Sequence, residues 1–127
     1  IGKDILKNKM ILIVEDDLVS YEFLRIFLEN LGGGGILQTS SGEDALKIVK
    51  NNKIDIIFMD IRLPNMDGYE ATIRIRKINQ KVIIIAQTAF ELQNDREKAI
   101  EAGCTDYLTK PIKEDLLIKT IEKHLKK

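Results

Sequence analysis

The stretch Ile54, Asp55, Ile56, Ile57, Phe58, Met59, Asp60 is a near-continuous apolar run that stops abruptly at a carboxylate. Runs of four to eight apolar residues bounded by polar ones suit a strand buried on both faces, as in a parallel sheet covered by helices on either side. Asp60 then stands at the carboxyl end of that strand. In open α/β sheets this is the edge outside which ligands bind.

The rest of the chain repeats the pattern. Met10 to Val14 is a second apolar run, and it meets Glu15, Asp16 and Asp17 at once. From Leu18 to Leu31 the residues Phe23, Leu24, Phe27, Leu28 and Leu31 fall three and four apart, which predicts an amphipathic helix with Asp17 as its N-cap. Gly32 to Gly35 reads as a helix stop and turn, because a phosphate cradle needs spaced glycines between a strand and a helix, and here the order is reversed. Ile36 to Thr39 is a short strand. Ser41 with Asp44 has the spacing of a capping box and opens a helix through Ala45, Leu46 and Val49. Beyond Asp60, Ile61 to Gly68 is a loop rich in turn formers, followed by a helix over about Tyr69 to Lys77. Val82 to Ala86 is a fourth strand ending at Gln87, Thr88 and Ala89. A charged helix over roughly Leu92 to Ala102 stops at Gly103. Asp106 to Thr109 is a fifth strand ending at Lys110 and Pro111, and Leu117, Ile121 and Leu125 mark a final helix. Strand and helix alternate five times, so a doubly wound parallel sheet with helices on both faces is expected.

Residues 1–9 are polar without a clear period and read as a linker or N-terminal extension to a domain spanning 10–127. A chain of 127 residues fits one domain and buries roughly two-thirds of its unfolded surface. Lys plus Arg equals Asp plus Glu, so no broad basic field recruits nucleic acid or an anionic membrane. The single Cys104 excludes an intrachain disulfide and a Cys-x-x-Cys site, and no apolar run approaches a membrane span. The chain reads as cytoplasmic, with no membrane contact of its own.

Four of the five predicted strands end in a group able to act on an oxyanion or a metal: Glu15 and Asp16, Asp60, Thr88, and Lys110. Carboxylates gathered in one pocket repel each other unless a cation sits among them. Mg²⁺ is the natural ion, a hard cation that prefers one or two carboxylates plus a phosphate oxygen. A carboxylate nucleophile beside that ion, a Lys and a hydroxyl is what forming an acyl phosphate on Asp60 requires.

These pieces, Ile-Leu-Ile-Val-Glu15-Asp16-Asp17, Phe-Met-Asp60-Ile-Arg-Leu-Pro64-Asn-Met-Asp67-Gly68, Ala-Gln-Thr88-Ala89 and Tyr107-Leu-Thr-Lys110-Pro111, together resemble the receiver domain of two-component response regulators, over essentially all of Met10 to Lys126. The Asp67-Gly68-Tyr69-Glu70-Ala71-Thr72 run most resembles receivers of hybrid sensor histidine kinases. The resemblance implies a flavodoxin-like fold with strand order 2-1-3-4-5. It implies a phosphoacceptor switch in a phosphorelay, with Asp60 as acceptor. Glu15 and Asp16 would be the acidic pair for Mg²⁺ (Mn²⁺ a substitute), Asp16 a direct ligand, and the Arg62 backbone carbonyl would complete the metal contacts. Thr88 would bind a phosphoryl oxygen and move on activation, Tyr107 would change rotamer with it, Lys110 would pair with the phosphate, and Pro111 would follow a cis peptide. The implied partner is a histidine kinase or histidine phosphotransfer domain. The implied output face is the fourth helix, fifth strand and fifth helix, where a homodimer can form.

Two features depart from the family pattern, the glycine run and Gln87, which is polar where the fourth strand usually ends apolar. Arg62 and Phe90 stand where the family tunes phosphate lifetime. Asp67-Gly68 lacks the alternating acids of an EF-hand. His124, near the end of a Lys-rich helix, reads as surface. Two other functions compete with the switch. One is an Asp-nucleophile phosphatase or phosphotransferase of the haloacid-dehalogenase type, which wants a second Asp where this chain has Arg62. The other is a phosphorylation-independent binding module, disfavoured because every chemical position is filled. On this reading the domain is no turnover enzyme, though it assists its own phosphorylation and dephosphorylation.

Overall fold

A computed structural model describes residues 4–89 and 94–125. The apolar runs become β1 (Met10–Val14), β3 (Ile56–Asp60) and β4 (Ile83–Thr88), flanked by β2 (Gly35–Thr39) and β5 (Asp106–Thr109). All pairs are parallel, in the order β2-β1-β3-β4-β5. Between them run α1 (Leu18–Asn30), α2 (Gly42–Asn51), α3 (Gly68–Ile78) and α4 (Asp95–Ala102), and α5 (Glu114–Leu125) follows β5. The predicted start of the fourth helix, at Leu92, lies outside the described residues.

Side chains of a strand alternate between faces, and the two faces collect different helices. Leu12, Val14, Ile57, Met59, Ile84, Ala86 and Tyr107 pack with Ala45 and Val49 of α2, Ala71 and Ile75 of α3, and Ala99 of α4. Ile11, Ile13, Ile56, Phe58, Ile85 and Leu108 pack with Leu24 and Leu28 of α1 and Leu117 and Ile121 of α5. The next residues on that second face are Glu15, Asp60, Gln87 and Lys110. Hydrophobic alternation therefore delivers four polar side chains to one side of one sheet edge.

Helix ends follow the sequence signals. Ser20 N donates to Asp17 Oδ2 at 3.1 Å, Asp44 N to Ser41 Oγ at 3.1 Å, and Glu70 N to Asp67 Oδ1 at 2.9 Å. Asp17 is the cap the spacing predicts, and Asp67, set aside as an EF-hand residue, caps α3. The glycine run closes α1 with a Schellman motif: Gly32 N donates to Glu29 O, Gly33 N to Leu28 O at 2.9 Å, and Gly32 takes φ 92°. A Cβ on Gly33 would lie 2.8 Å from Leu28 O, so the motif needs glycine there.

Three readings change. The part of the N-terminal segment that is described, residues 4–9, is no linker. Leu6 is 0% exposed in the α1/α5-side core, and its N–H donates to Leu31 O at 3.0 Å. β3 begins at Ile56 rather than Ile54, because Asp55 turns its carboxylate to the N–H of Met10 at 2.8 Å and anchors the start of β1. Phe23, grouped with the buried residues of α1, is 62% exposed, as are Leu18 and Val19 to a similar degree. Periodicity finds an apolar arc, but the sheet covers only the Leu24–Leu28 part of it.

Candidate phosphoacceptor and metal site

Glu15 extends the β1 ladder by one bond, its N–H donating to Thr39 O at 3.0 Å, and its side chain is buried. Asp16 follows in the turn and is exposed. Asp60 ends β3 and is buried, with one oxygen, Oδ1, accepting from Arg62 N at 3.0 Å. Carboxylate oxygens of Glu15, Asp16 and Asp60 all lie within 4.8 Å of one another. Lys110 is drawn in by its own backbone, whose N–H donates to Thr88 O at 2.7 Å. Its Nζ sits 2.6 Å from Glu15 Oε1 and 3.6 Å from Asp60 Oδ2.

Among the described residues one ammonium faces three carboxylates, which leaves the cluster short of positive charge. Glu15 records this: burial, with the nearby Asp60 adding to it, pushes its carboxyl up to about 7 against the opposing pull of Lys110. Asp17, whose carboxylate accepts both the N–H and the hydroxyl of Ser20, is held below the ordinary value and serves the helix instead. A hard divalent cation taking carboxylate oxygens fits this donor set and this deficit.

The close packing of the β3–α3 loop fixes Asp60. Gly68 N donates to Ile61 O at 2.9 Å, and a Cβ on Gly68 would meet Asp60 O at 2.3 Å and Ile61 Cα at 2.7 Å. Only glycine lets α3 begin this close to the acceptor. Thr88 is fully buried at the end of β4, one residue beyond Gln87, the register partner of Asp60. Its side chain shares the opposite face with Tyr107, the register partner of Ala86. The two predicted switch residues are thus neighbours across β4 and β5, on the α4 side. The Lys110–Pro111 peptide is cis. Phe90 lies outside the described residues.

Several participants have no local signature. Gln87, buried between Asp60 and Leu108, donates through Nε2 to Glu15 Oε1 at 3.3 Å. Asp95, buried in the first turn of α4, accepts from the Tyr69 hydroxyl at 3.1 Å and pairs with the Arg62 guanidinium at 3.5 Å. Burial, with that hydrogen bond adding, raises the Tyr69 phenol well above its usual value. His124, expected at the surface, is mostly covered, with Nε2 2.7 Å from Asp106 Oδ2.

A groove of about 520 Å³ opens beside the site, lined by Val19, Phe23 and Phe27 of α1 and by Gln87, Lys110 and Ile112.

The description of response regulator receiver domains matches residues 11–122. The chain is 36% identical over 135 residues to hybrid signal transduction histidine kinase B of Dictyostelium discoideum, spanning 94% of this chain and only 7% of that protein. Among solved structures it resembles the receiver domain of a Pseudomonas aeruginosa sensor histidine kinase, which has a magnesium ion coordinated in its active-site cleft (37% identity, TM-score 0.86, 94% of this chain and 98% of that one). It also resembles a chain of the Saccharomyces cerevisiae complex between a histidine phosphotransfer protein and the receiver domain of its downstream response regulator (35% identity, TM-score 0.83, 91% and 88% covered). With the sheet order, the acidic cluster and these matches in agreement, the chain belongs to the response regulator receiver domain family.

Proposed function

We propose that Asp60 accepts a phosphoryl group from a phosphohistidine and that the loaded domain changes its binding partners. The observation that supports this is the convergence of Glu15, Asp16 and Asp60 within 4.8 Å, with the Lys110 ammonium 3.6 Å from Asp60. An Asp60 oxygen forms the new P–O bond as the P–N bond of the donor breaks and imidazole leaves. Asp16, Asp60, Glu15 and the Arg62 backbone carbonyl would hold Mg²⁺, or Mn²⁺ in its place. When bound, that ion supplies positive charge to the phosphoryl oxygens. Lys110 neutralises further charge, Thr88 donates its hydroxyl to a phosphoryl oxygen, and Tyr107 follows Thr88 into a second packing arrangement. The domain is not a turnover enzyme: two residues past Asp60 stands Arg62, which cannot protonate a leaving group as a second Asp would.

The donor is a histidine phosphotransfer protein or histidine kinase, and it docks on the exposed apolar arc of α1. The groove there is lined by both Phe23 and Lys110, whose ammonium lies 3.6 Å from Asp60, so a helix seated in it brings its phosphohistidine beside Asp60. Output is read from the face of α4, β5 and α5, where Ile100 and Leu116 are exposed and a homodimer can form. This domain works in the cytoplasm.

Incubation with acetyl phosphate and Mg²⁺, read by intact mass, tests the switch. One phosphoryl group per chain, abolished in Asp60→Asn, is expected; no adduct, or turnover of many equivalents, would overturn it. Phe23→Asp should take phosphate from acetyl phosphate as the wild type does while losing transfer from a phosphotransfer protein. Equal loss with both donors would count against docking on α1.

A further inference from the structure

The buried amide at the end of β4 is the unabsorbed feature of this site. Gln87 is 1% exposed and register-paired with Asp60, so the two side chains leave the sheet on the same face. Its Nε2 lies 3.3 Å from Glu15 Oε1, the same oxygen that holds Lys110 Nζ at 2.6 Å, while Glu15 Oε2 accepts from Asp17 N at 3.2 Å. The amide must point its nitrogen at Glu15, because the reverse orientation would set a carbonyl oxygen against a carboxylate.

Among the described residues Glu15 accepts from Asp17 N, Gln87 Nε2 and Lys110 Nζ, and of these Lys110 alone is charged. The same ammonium is the cation within 3.6 Å of Asp60. A phosphoryl group on Asp60 adds charge that competes for Lys110, and although Glu15 would share Mg²⁺ with Asp16 and Asp60 when the ion is bound, its Oε1 still loses its closest hydrogen-bond donor as the ammonium leaves. An apolar residue at position 87 would remove that neutral donor from Glu15 Oε1.

Building on the proposed phosphoacceptor role of Asp60, we propose that Gln87 is a positioning residue: it keeps Glu15 satisfied and in place while Lys110 moves from Glu15 to the phosphoryl group. Gln87 acts through Glu15 and does not touch the transferred group. A hydrogen bond to a charged partner is strong enough that its loss slows loading by roughly tenfold or more.

The test compares wild type, Gln87→Met, Glu15→Gln and the double variant, each folded by thermal melt, for loading by acetyl phosphate at saturating Mg²⁺. Expected is a roughly tenfold slower Gln87→Met and almost no further effect of that substitution in the Glu15→Gln background, since the coupling lies between the two side chains. An equal effect in both backgrounds, or none in either, overturns the proposal. The second readout needs no variant and no turnover: the Gln87 side-chain N–H resonances should stay shifted and protected when Mg²⁺ and beryllofluoride are added, and their collapse to solvent-like values would also overturn it. If the wild type itself takes up no phosphoryl group, the phosphoacceptor role fails and this inference fails with it. A wild type that loads normally beside an unimpaired Gln87→Met removes only the role of Gln87.

Discussion

Gly68→Ala perturbs the site through one methyl group, and its cost can be worked from two opposing effects. The added Cβ would lie 2.3 Å from Asp60 O, 2.7 Å from Ile61 Cα and 3.0 Å from the Asp60 carbonyl carbon. These are backbone atoms at the end of a central strand, so no flexible side chain can yield. The start of α3 must instead retreat by about 1 Å, stretching the Gly68 N–H bond to Ile61 O. Overpacking of this kind costs about 3 kcal/mol at the upper end of its usual range. Against it, alanine is favoured over glycine within a helix by up to ~1 kcal/mol. The clash wins, and the net loss is about 2 kcal/mol, or roughly 6–12 °C in Tm for a domain of this size. Far-ultraviolet circular dichroism on heating measures it. The clash also presses directly on the Asp60 carbonyl, so any part of it that the strand end absorbs misplaces the acceptor, and loading by acetyl phosphate should fall by as much as ~100-fold in the protein that remains folded. A Tm equal to or above that of the wild type would refute the close approach as the reason for glycine here.

Two further substitutions probe parts of the molecule that the sequence under-described. Leu6→Ala should destabilise the domain by about 2–5 kcal/mol, as a fully buried leucine does, and a change near zero in chemical denaturation would show that the N-terminal segment is not part of the core. The Asp106 carboxyl is pushed up by burial, but the His124 ring and the N–H of Tyr107 more than offset this and hold it below the ordinary value. A depressed carboxyl contributes stability that is present above its unfolded pKa, ~3.9, and lost as pH falls through the folded value. The stability gap between wild type and His124→Ala should therefore shrink on acidification below pH ~4 in urea unfolding curves, and a gap that persists unchanged would break the assignment.

The sequence carried the strands because burial on both faces demands apolar runs, and it carried the site because each run stops at a polar residue on the ligand-binding edge. Ser41 and Asp17 were readable since a cap acts on a backbone N–H three residues away, whereas the cap at Asp67 shows only in the structure. What escaped was set by distance along the chain. Gln87 is conspicuous as a residue, but its partner Glu15 lies 72 positions away; Asp95 meets Arg62 33 positions back, and His124 meets Asp106 18 positions back. Leu6 gave no periodic signal because only one turn of chain is involved. The exposure of Phe23 could not be read at all, since it depends on which part of the α1 arc the sheet covers.

The shared cation is tested most directly by titrating Mg²⁺ into the protein and following it by calorimetry and by amide resonances, in wild type, Asp16→Asn and Asp60→Asn. Expected is one ion per chain, with shifts centred on Glu15, Asp16, Asp60 and Arg62 and affinity sharply reduced in both variants. Binding that is absent in the wild type, or that survives undiminished in both variants, would contradict a single divalent ion held among these carboxylates.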